Sequence, residues 1–288
     1  MQSPEITPPA RPPVTVIIPA YQEEEAVATV IEEIQRDFIQ ASGRSPDEVE
    51  ILVVDDGSRD ATAERARAAG AQVIRHGENR GYGAALKTGL RHARHELIIM
   101  TDADGTYPAR YFDSLLRLLD DADMAVGARR GENVHIPLAR RPAKWLLTRV
   151  AVFLAAQPIP DLNSGLRAFR KSDALRFRNL YPRGFSFTTT MTLAYLSSDL
   201  VVRYLPIDYA PRTGKSKFHP IRDTKNLFLT IIRSILFFNP LRVCLPVSFG
   251  FFALAAFVLF ALREAQGRMY FIWQQMPEKG NVLDGTIE

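Results

Sequence analysis

Leu97-Ile98-Ile99-Met100-Thr101-Asp102-Ala103-Asp104-Gly105 is a short apolar run that ends in two carboxylates one residue apart. An apolar run of this length, bounded by turn residues, reads as a strand buried on both faces. Two carboxylates at the mouth of such a strand repel each other unless a cation lies between them. Hard oxygen donors of this kind suit Mg2+ or Mn2+, with a substrate's phosphates completing the shell. Asp is also a common turn residue, but that accounts poorly for two at this position.

The same pattern repeats outward from this stretch. Strands are predicted at 14–19, 50–54, 72–74, 97–101 and 124–127, separated by helices at 24–39, 60–69, 83–94 and 109–119. Strand–helix alternation at this spacing predicts an α/β fold with parallel βαβ units and a sheet covered on both faces. Beyond residue 130 the pattern is mixed: a helix at 139–156, a strand at 166–169, a helix at 187–196 and a strand at 201–205. No repeat of 20–50 residues is present. Ligands of such sheets sit beyond the carboxyl ends of the strands, so the residues that follow each strand are the candidates for chemistry.

After the first strand come Pro19-Ala20-Tyr21-Gln22-Glu23-Glu24-Glu25. A rigid proline, an aromatic ring and a carboxylate suit a flat base, and glutamates opening a helix are equally favourable on dipole grounds. After the second come Val54-Asp55-Asp56-Gly57-Ser58. Adjacent carboxylates there suit a base or a ribose hydroxyl, and Asp-Gly-Ser is equally good turn and N-cap chemistry. Asn79-Arg80-Gly81-Tyr82-Gly83 precedes a helix and is placed to approach a phosphate, though a glycine pair alone is a weak sign. Two basic groups suit phosphate clamps, because guanidinium forks match phosphate oxygens. They are Arg129, straight after a strand, and Arg212-Thr213-Gly214-Lys215-Ser216-Lys217.

The 288 residues suffice for one large domain with an appendage, and the net charge of +4 suits phosphorylated ligands or an anionic membrane alike. A single cysteine, Cys244, excludes an internal disulfide and any multi-cysteine zinc site. Residues 1–13 hold five prolines and no apolar core, and are expected to be a disordered lead-in rather than a targeting signal. Between Arg242 and Arg263 lie 20 residues without a charge. At about 1.5 Å per residue they would rise roughly 30 Å, the thickness of a bilayer's hydrocarbon core. A buried helix of a soluble core is the alternative, but no polar face is left for it. Just before this segment, apolar bulk interleaved with Arg222, Lys225 and Arg233 suggests an amphipathic helix lying along the membrane surface. The excess of basic residues on the N-terminal side then predicts that the large domain is cytoplasmic. The expected division is a catalytic domain at 14–220, an interfacial helix at 221–240, a transmembrane helix at 241–263 and a tail at 264–288, the last with a truncated look.

Taken in order, Val16-Ile17-Ile18-Pro19-Ala20-Tyr21-Gln22-Glu23, Val53-Val54-Asp55-Asp56-Gly57-Ser58, Asp102-Ala103-Asp104, Asn163-Ser164-Gly165-Leu166-Arg167 and Ser216-Lys217 resemble the motifs of family-2 glycosyltransferases. Within that family the chain looks most like the polyprenol-phosphate sugar transferases, over about four-fifths of its length. The resemblance implies a GT-A type fold and an inverting transfer of a hexose from a GDP- or UDP-sugar to a polyprenyl phosphate. It implies that Pro19, Ala20, Tyr21, Glu23, Val54, Asp56 and Ala103 line the nucleotide. Asp102 and Asp104 would hold Mg2+ or Mn2+ and, with Arg129, form the catalytic group. Arg129, Ser164, Arg167, Arg212, Ser216 and Lys217 would contact donor or acceptor phosphates and the sugar. A lipid phosphate is already anionic at neutral pH, so positioning and electrostatic stabilisation suffice without a strong base.

Three features depart from that pattern. Gly184-Phe185-Ser186-Phe187 is followed by Thr188-Thr189-Thr190 where many relatives carry a glutamate. Thr106 stands where some relatives offer an amide to the metal, and one span is evident where many bacterial relatives have two. The Gln-x-x-Arg-Trp motif of processive polysaccharide synthases is missing. That leaves a non-phosphorylated acceptor as the rival reading for an enzyme, and an inactive nucleotide-binding scaffold as the rival of another class. The basic residues gather toward the apolar segment without an aromatic-interleaved platform, so nucleic acid is not an expected partner. The bilayer is, and the span with its amphipathic neighbour offers self-complementary surface for a homo-oligomer.

Overall fold

The computed structural model describes residues 11–129, 159–184, 186–211, 229, 236 and 240–274. Seven strands form one sheet: β1 (Val14–Ala20), β2 (Val49–Asp55), β3 (Gln72–Arg75), β4 (Leu97–Met100), β5 (Met124–Arg129), β6 (Arg167–Arg170) and β7 (Val202–Ile207). Their order across the sheet is β3-β2-β1-β4-β6-β5-β7. All neighbours run parallel except β6, which is antiparallel to both β4 and β5. The pairs Ala20 with Asp55 and Asp55 with Arg75 bring the carboxyl ends of β1, β2 and β3 to one level. The chain winds outward from β1 to β3, then returns to place β4 on the other side of β1. That reversal opens a crevice at the carboxyl ends of the strands, the usual ligand site of such sheets.

The strands β1, β2, β4 and β5 are buried on both faces, which explains why they read as unbroken apolar runs. Side chains alternate along a strand, so Val16 and Ile18 enter one core with Val27, Ile31, Phe38 and Phe112. Ile17 enters the opposite core with Leu86, Leu90, Ile98, Phe169 and Tyr195. Pro19 sits in a central strand without breaking it. It lies beyond the last β1–β4 pair, Ile17 with Met100, so its missing N–H takes nothing from that ladder.

Helices cover the faces: α1 (Val27–Glu33), α2 (Thr62–Ala68), α3 (Tyr82–His92), α4 (Phe112–Arg117), α5 (Lys171–Arg176) and α6 (Phe187–Ser197). Several bounds differ from expectation. The first helix starts at Val27, so Glu23, Glu24 and Glu25 precede it, and it continues as π-helical turns over Ile34–Gln40. The predicted helix at 109–119 is α-helical only over Phe112–Arg117, flanked by 3-10 turns at Ala109–Tyr111 and Leu118–Asp120. The expected helix at 139–156 and most of the expected interfacial helix lie outside the described residues.

Residues from Pro240 onward form a separate unit. Its helix, α7 (Pro240–Gln274), contains Cys244–Met269, 26 residues of mean hydropathy 2.3 that are long and apolar enough to cross a bilayer. Phe249, Phe251, Phe252 and Phe257 are exposed along it.

Candidate functional site

At the carboxyl ends of β1, β2 and β3 a cavity of about 640 Å³ is lined by Tyr21, Gly57, Ser58, Arg59, Arg75, His76, Gly77, Glu78 and Asn79. The loops around it are joined to each other. The Gln22 amide donates to Ser58 Oγ and the Glu23 amide to Thr62 Oγ1, each at 2.9 Å. Gly57 takes φ +77°, and a Cβ there would stand 2.6 Å from the Glu78 carbonyl carbon, so only glycine allows this close approach.

Asp56 is buried, and its amide donates to the Ala20 carbonyl at 2.8 Å. Its Oδ1 lies 2.7 Å from His76 Nδ1 and accepts from the Arg80 amide at 3.0 Å, while Oδ2 accepts from the Gly81 amide at 2.7 Å. His76 is held from its other side by Thr88 Oγ1, 2.9 Å from Nε2. The amides of Arg80 and Gly81, read from the sequence as a phosphate approach, are thus committed to Asp56. The glycines of that run serve packing as well: a Cβ on Gly81 or Gly83 would meet the carbonyls of Arg183 or Pro182 at 2.5 and 2.3 Å. Asp55 is equally committed, accepting from the Ser58 amide at 2.9 Å and standing 3.2 Å from Arg75 Nε. Ala20, Val54 and Ala103 are buried apolar groups that shape the strand ends.

The turn after β4 carries Asp102 and Asp104. Tyr82, at the start of α3, donates its hydroxyl to Asp102 Oδ1 at 2.9 Å. Burial and the adjacent Asp102 charge push the Tyr82 hydroxyl pKa well up, keeping it a neutral donor. Gly165 backs Asp102 closely; a Cβ there would lie 2.5 Å from Asp102 Oδ2. Its amide donates to the Tyr107 hydroxyl at 2.8 Å, and burial raises that hydroxyl's pKa as well. Asp104 is 4% exposed, and its Oδ1 accepts from the amide of Thr106 at 3.1 Å and from its hydroxyl at 2.6 Å. Among the described residues no group of three or more His, Cys, Asp or Glu gathers for a metal. The carboxylate oxygens of Asp102 and Asp104 are hard donors of the kind that suit Mg2+ or Mn2+.

Arg129, at the end of β5, is locked bidentately to Asp161, Nε to Oδ2 at 2.7 Å and Nη2 to Oδ1 at 2.9 Å. Its guanidinium also stands 5.3 Å from the centre of the Tyr209 ring. Burial opposes the Arg129 charge, but Asp161 outweighs it and the pKa is raised. Asp161 answers in kind: burial would lift its carboxyl, and Arg129 holds it below the usual range. Arg167, expected near a phosphate, is fully buried. Its Nε and Nη2 donate to the carbonyls of Ser164 and Leu162 and its Nη1 to Thr192 Oγ1, at 2.9, 3.1 and 2.7 Å. Its fork binds the loop that leads into β6, because a strand residue pointing into the core meets that loop's carbonyls. Burial lowers its pKa. Ser164 Oγ is buried without a hydrogen-bond partner among the described residues. Arg212, Ser216 and Lys217 lie outside them.

His76, Tyr82, Tyr107 and Asp161 are the residues sequence reasoning missed. Each acts across a gap of 20 to 58 positions (His76 to Asp56, Tyr82 to Asp102, Tyr107 to Gly165, Asp161 to Arg129), so no local spacing announces it. The one available signal was the Tyr82 ring beside a glycine pair.

Residues 15–177 match the family described as glycosyl transferase family 2, which spans more than half of the chain. The chain is 28% identical over 220 residues to a dolichyl-phosphate hexose transferase of Haloferax volcanii, covering 76% of this chain and 92% of that one. It is 28% identical to an undecaprenyl-phosphate mannosyltransferase of Micrococcus luteus, covering 71% and 86%. Among solved structures it resembles glucosyl-3-phosphoglycerate synthase of Mycobacterium tuberculosis, crystallised with Mn2+, uridine diphosphate and glucosyl-3-phosphoglycerate. There the TM-score is 0.56 at 22% identity, with 78% of this chain and 79% of that one covered.

Proposed function

Because the chain belongs to glycosyl transferase family 2, we propose that it moves a hexose from a nucleotide-sugar to a polyprenyl phosphate at the cytoplasmic face of a membrane, with inversion. The observation that carries this reading is the oriented pair Asp102 and Asp104, at the same end of the sheet as a cavity of about 640 Å³. The cavity suits a nucleoside, and Tyr21 is part of its wall. Asp56 acts on it indirectly, by fixing the turn at Arg80 and Gly81.

Asp102 and Asp104 would hold Mg2+ or Mn2+, which when bound neutralises charge on the departing diphosphate. An oxygen of the acceptor phosphate attacks the anomeric carbon from the face opposite the diphosphate. The bond to the diphosphate breaks and its electron pair leaves with the nucleotide. The acceptor is already an anion, so the protein's task is alignment. Gly165, Tyr82 and Thr106 set the two carboxylates, and the unpaired Ser164 hydroxyl is a buried group that a bound sugar or phosphate would satisfy. Arg129 enters as the partner of Asp161 and Tyr209, shaping the acceptor side. Arg212, Ser216 and Lys217 would grip the lipid's phosphate. Two features support a lipid acceptor: the apolar stretch Cys244–Met269 and the polyprenyl-phosphate substrates in the names of the relatives.

The test is transfer of radiolabel in membranes containing the full chain, with undecaprenyl or dolichyl phosphate, a panel of GDP- and UDP-sugars, and Mn2+ or Mg2+. Metal-dependent label in the lipid phase is expected. Label that stays out of the lipid with every donor, and passes instead to 3-phosphoglycerate or a free saccharide, would replace the lipid acceptor by a soluble one.

A further inference from the structure

We infer that Thr106 is the positioning residue that aims the Asp104 carboxylate and ties it to the chain leading out of β7; the inference rests on the reading of Asp104 as a metal ligand. Thr106 is fully buried. Its hydroxyl and its amide both donate to one atom, Asp104 Oδ1, at 2.6 and 3.1 Å. Two donors on one oxygen fix the plane of the carboxylate as well as its position. Both donors are neutral, so they orient the group without cancelling the charge that a cation needs.

The other face of Thr106 points to the same role. Its carbonyl accepts from the Ala210 amide at 3.0 Å. The neighbouring ring of Tyr209 stands 5.4 Å from Tyr107 and 5.3 Å from the Arg129 guanidinium. Asp208 holds the start of this segment through Arg110 Nη2 at 2.6 Å and the Tyr111 hydroxyl at 2.8 Å. Residues 208–210 are therefore pinned to the Thr106–Tyr111 stretch at three successive positions, immediately before the basic group that begins at Arg212. A local turn that merely closes on itself would need the Asp104 bonds alone. Thr106 joins Asp104 to a segment about 100 positions distant.

The experiment uses the detergent-solubilised full chain with GDP or UDP present, and follows free Mn2+ by electron paramagnetic resonance. Thr106→Val keeps the shape and removes the hydroxyl donor; Thr106→Ser keeps the donor. Losing a group that orients a metal ligand weakens metal binding about 10- to 100-fold. Thr106→Val is expected to bind Mn2+ at least about 10-fold more weakly, with Thr106→Ser restoring it to within about 2-fold. Should the valine variant fail to accumulate, Thr106→Ala removes the same hydroxyl and is expected to show the same loss. A valine or alanine variant that binds Mn2+ as the wild type does, whatever its melting temperature, would overturn the positioning role and leave the metal site standing. A wild-type chain that binds no Mn2+ with either nucleotide would instead overturn the metal reading, and this inference with it.

Discussion

Two carboxylate pairs stand at the ends of β2 and β4, on either side of β1, and they are held by different kinds of partner. Asp55 and Asp56 meet Arg75, His76 and three main-chain amides. Asp102 and Asp104 meet the hydroxyls of Tyr82 and Thr106 and the Thr106 amide. The first pair uses its oxygens to weld the loops after β2 and β3 to the start of α3. The hydroxyl and amide donors from Tyr82 and Thr106 orient the carboxylates of the second pair. Motifs that look alike in sequence thus differ in what holds them, and only the second pair is the one we propose as the metal site.

The sharpest way to break this contrast is to truncate one member of each pair. Asp104→Ala should lower transfer on the order of 10³-fold with little change in melting temperature, since a charge-stabilising group at the reaction centre is lost. Asp56→Ala should do the reverse. It strands a buried imidazole and the partly buried amides of Arg80 and Gly81, which costs about 3 kcal/mol, or a fall in Tm of about 10 °C. A variant of Asp56 that melts like the wild type would mean that the welding is dispensable and the two pairs are alike.

How much of this was legible depended on range. The central strand positions were readable because buried parallel strands are unbroken apolar runs, and 14–19 and 50–54 fell within one or two residues of β1 and β2. The antiparallel direction of β6 was not readable, because the direction of a strand leaves no mark on Arg167–Arg170 itself. Asp102 and Asp104 stood out because their spacing is local. The family resemblance placed Arg167 near the sugar and phosphates, and its local sequence carries no sign of its carbonyl partners. Only the fold shows that it points into the core and bonds carbonyls. Arg129 followed a strand as expected, yet its partner Asp161 lies 32 positions away.

A smaller change tests whether the second pair is aimed as finely as its contacts imply. Gly165→Ala would place a Cβ 2.5 Å from Asp102 Oδ2, forcing one of them to move. A displacement of about 1 Å near reacting groups costs about 10²-fold, so kcat should fall by that order while the protein still folds. Nucleotide binding in the absence of metal should stay near wild type, because the cavity beside Tyr21 is lined by other loops. Wild-type kcat in Gly165→Ala would show that the Asp102 wall yields freely, and the contrast between rigid and aimed carboxylates would weaken.

The smallest effect concerns Asp161, which behaves like the first pair in holding Arg129. Its carboxyl is buried, which alone would raise its pKa, but Arg129 more than offsets this and holds it below the usual range. A carboxylate with a depressed folded pKa contributes stability that is present above its unfolded value, near 3.9, and is lost as pH falls through the folded value. Asp161→Asn should therefore be less stable than wild type by about 2 kcal/mol at pH 7, less than for a fully buried pair because Arg129 is partly exposed. The gap should begin to narrow as pH drops below about 4, where the unfolded chain's carboxyl takes up its proton, and go on narrowing until pH reaches the lower folded value. Melting curves of both proteins across pH 3 to 7 measure it. A gap that stays constant down to pH 3 would mean that the hydrogen-bond geometry of Asp161, rather than its charge, holds Arg129 in place.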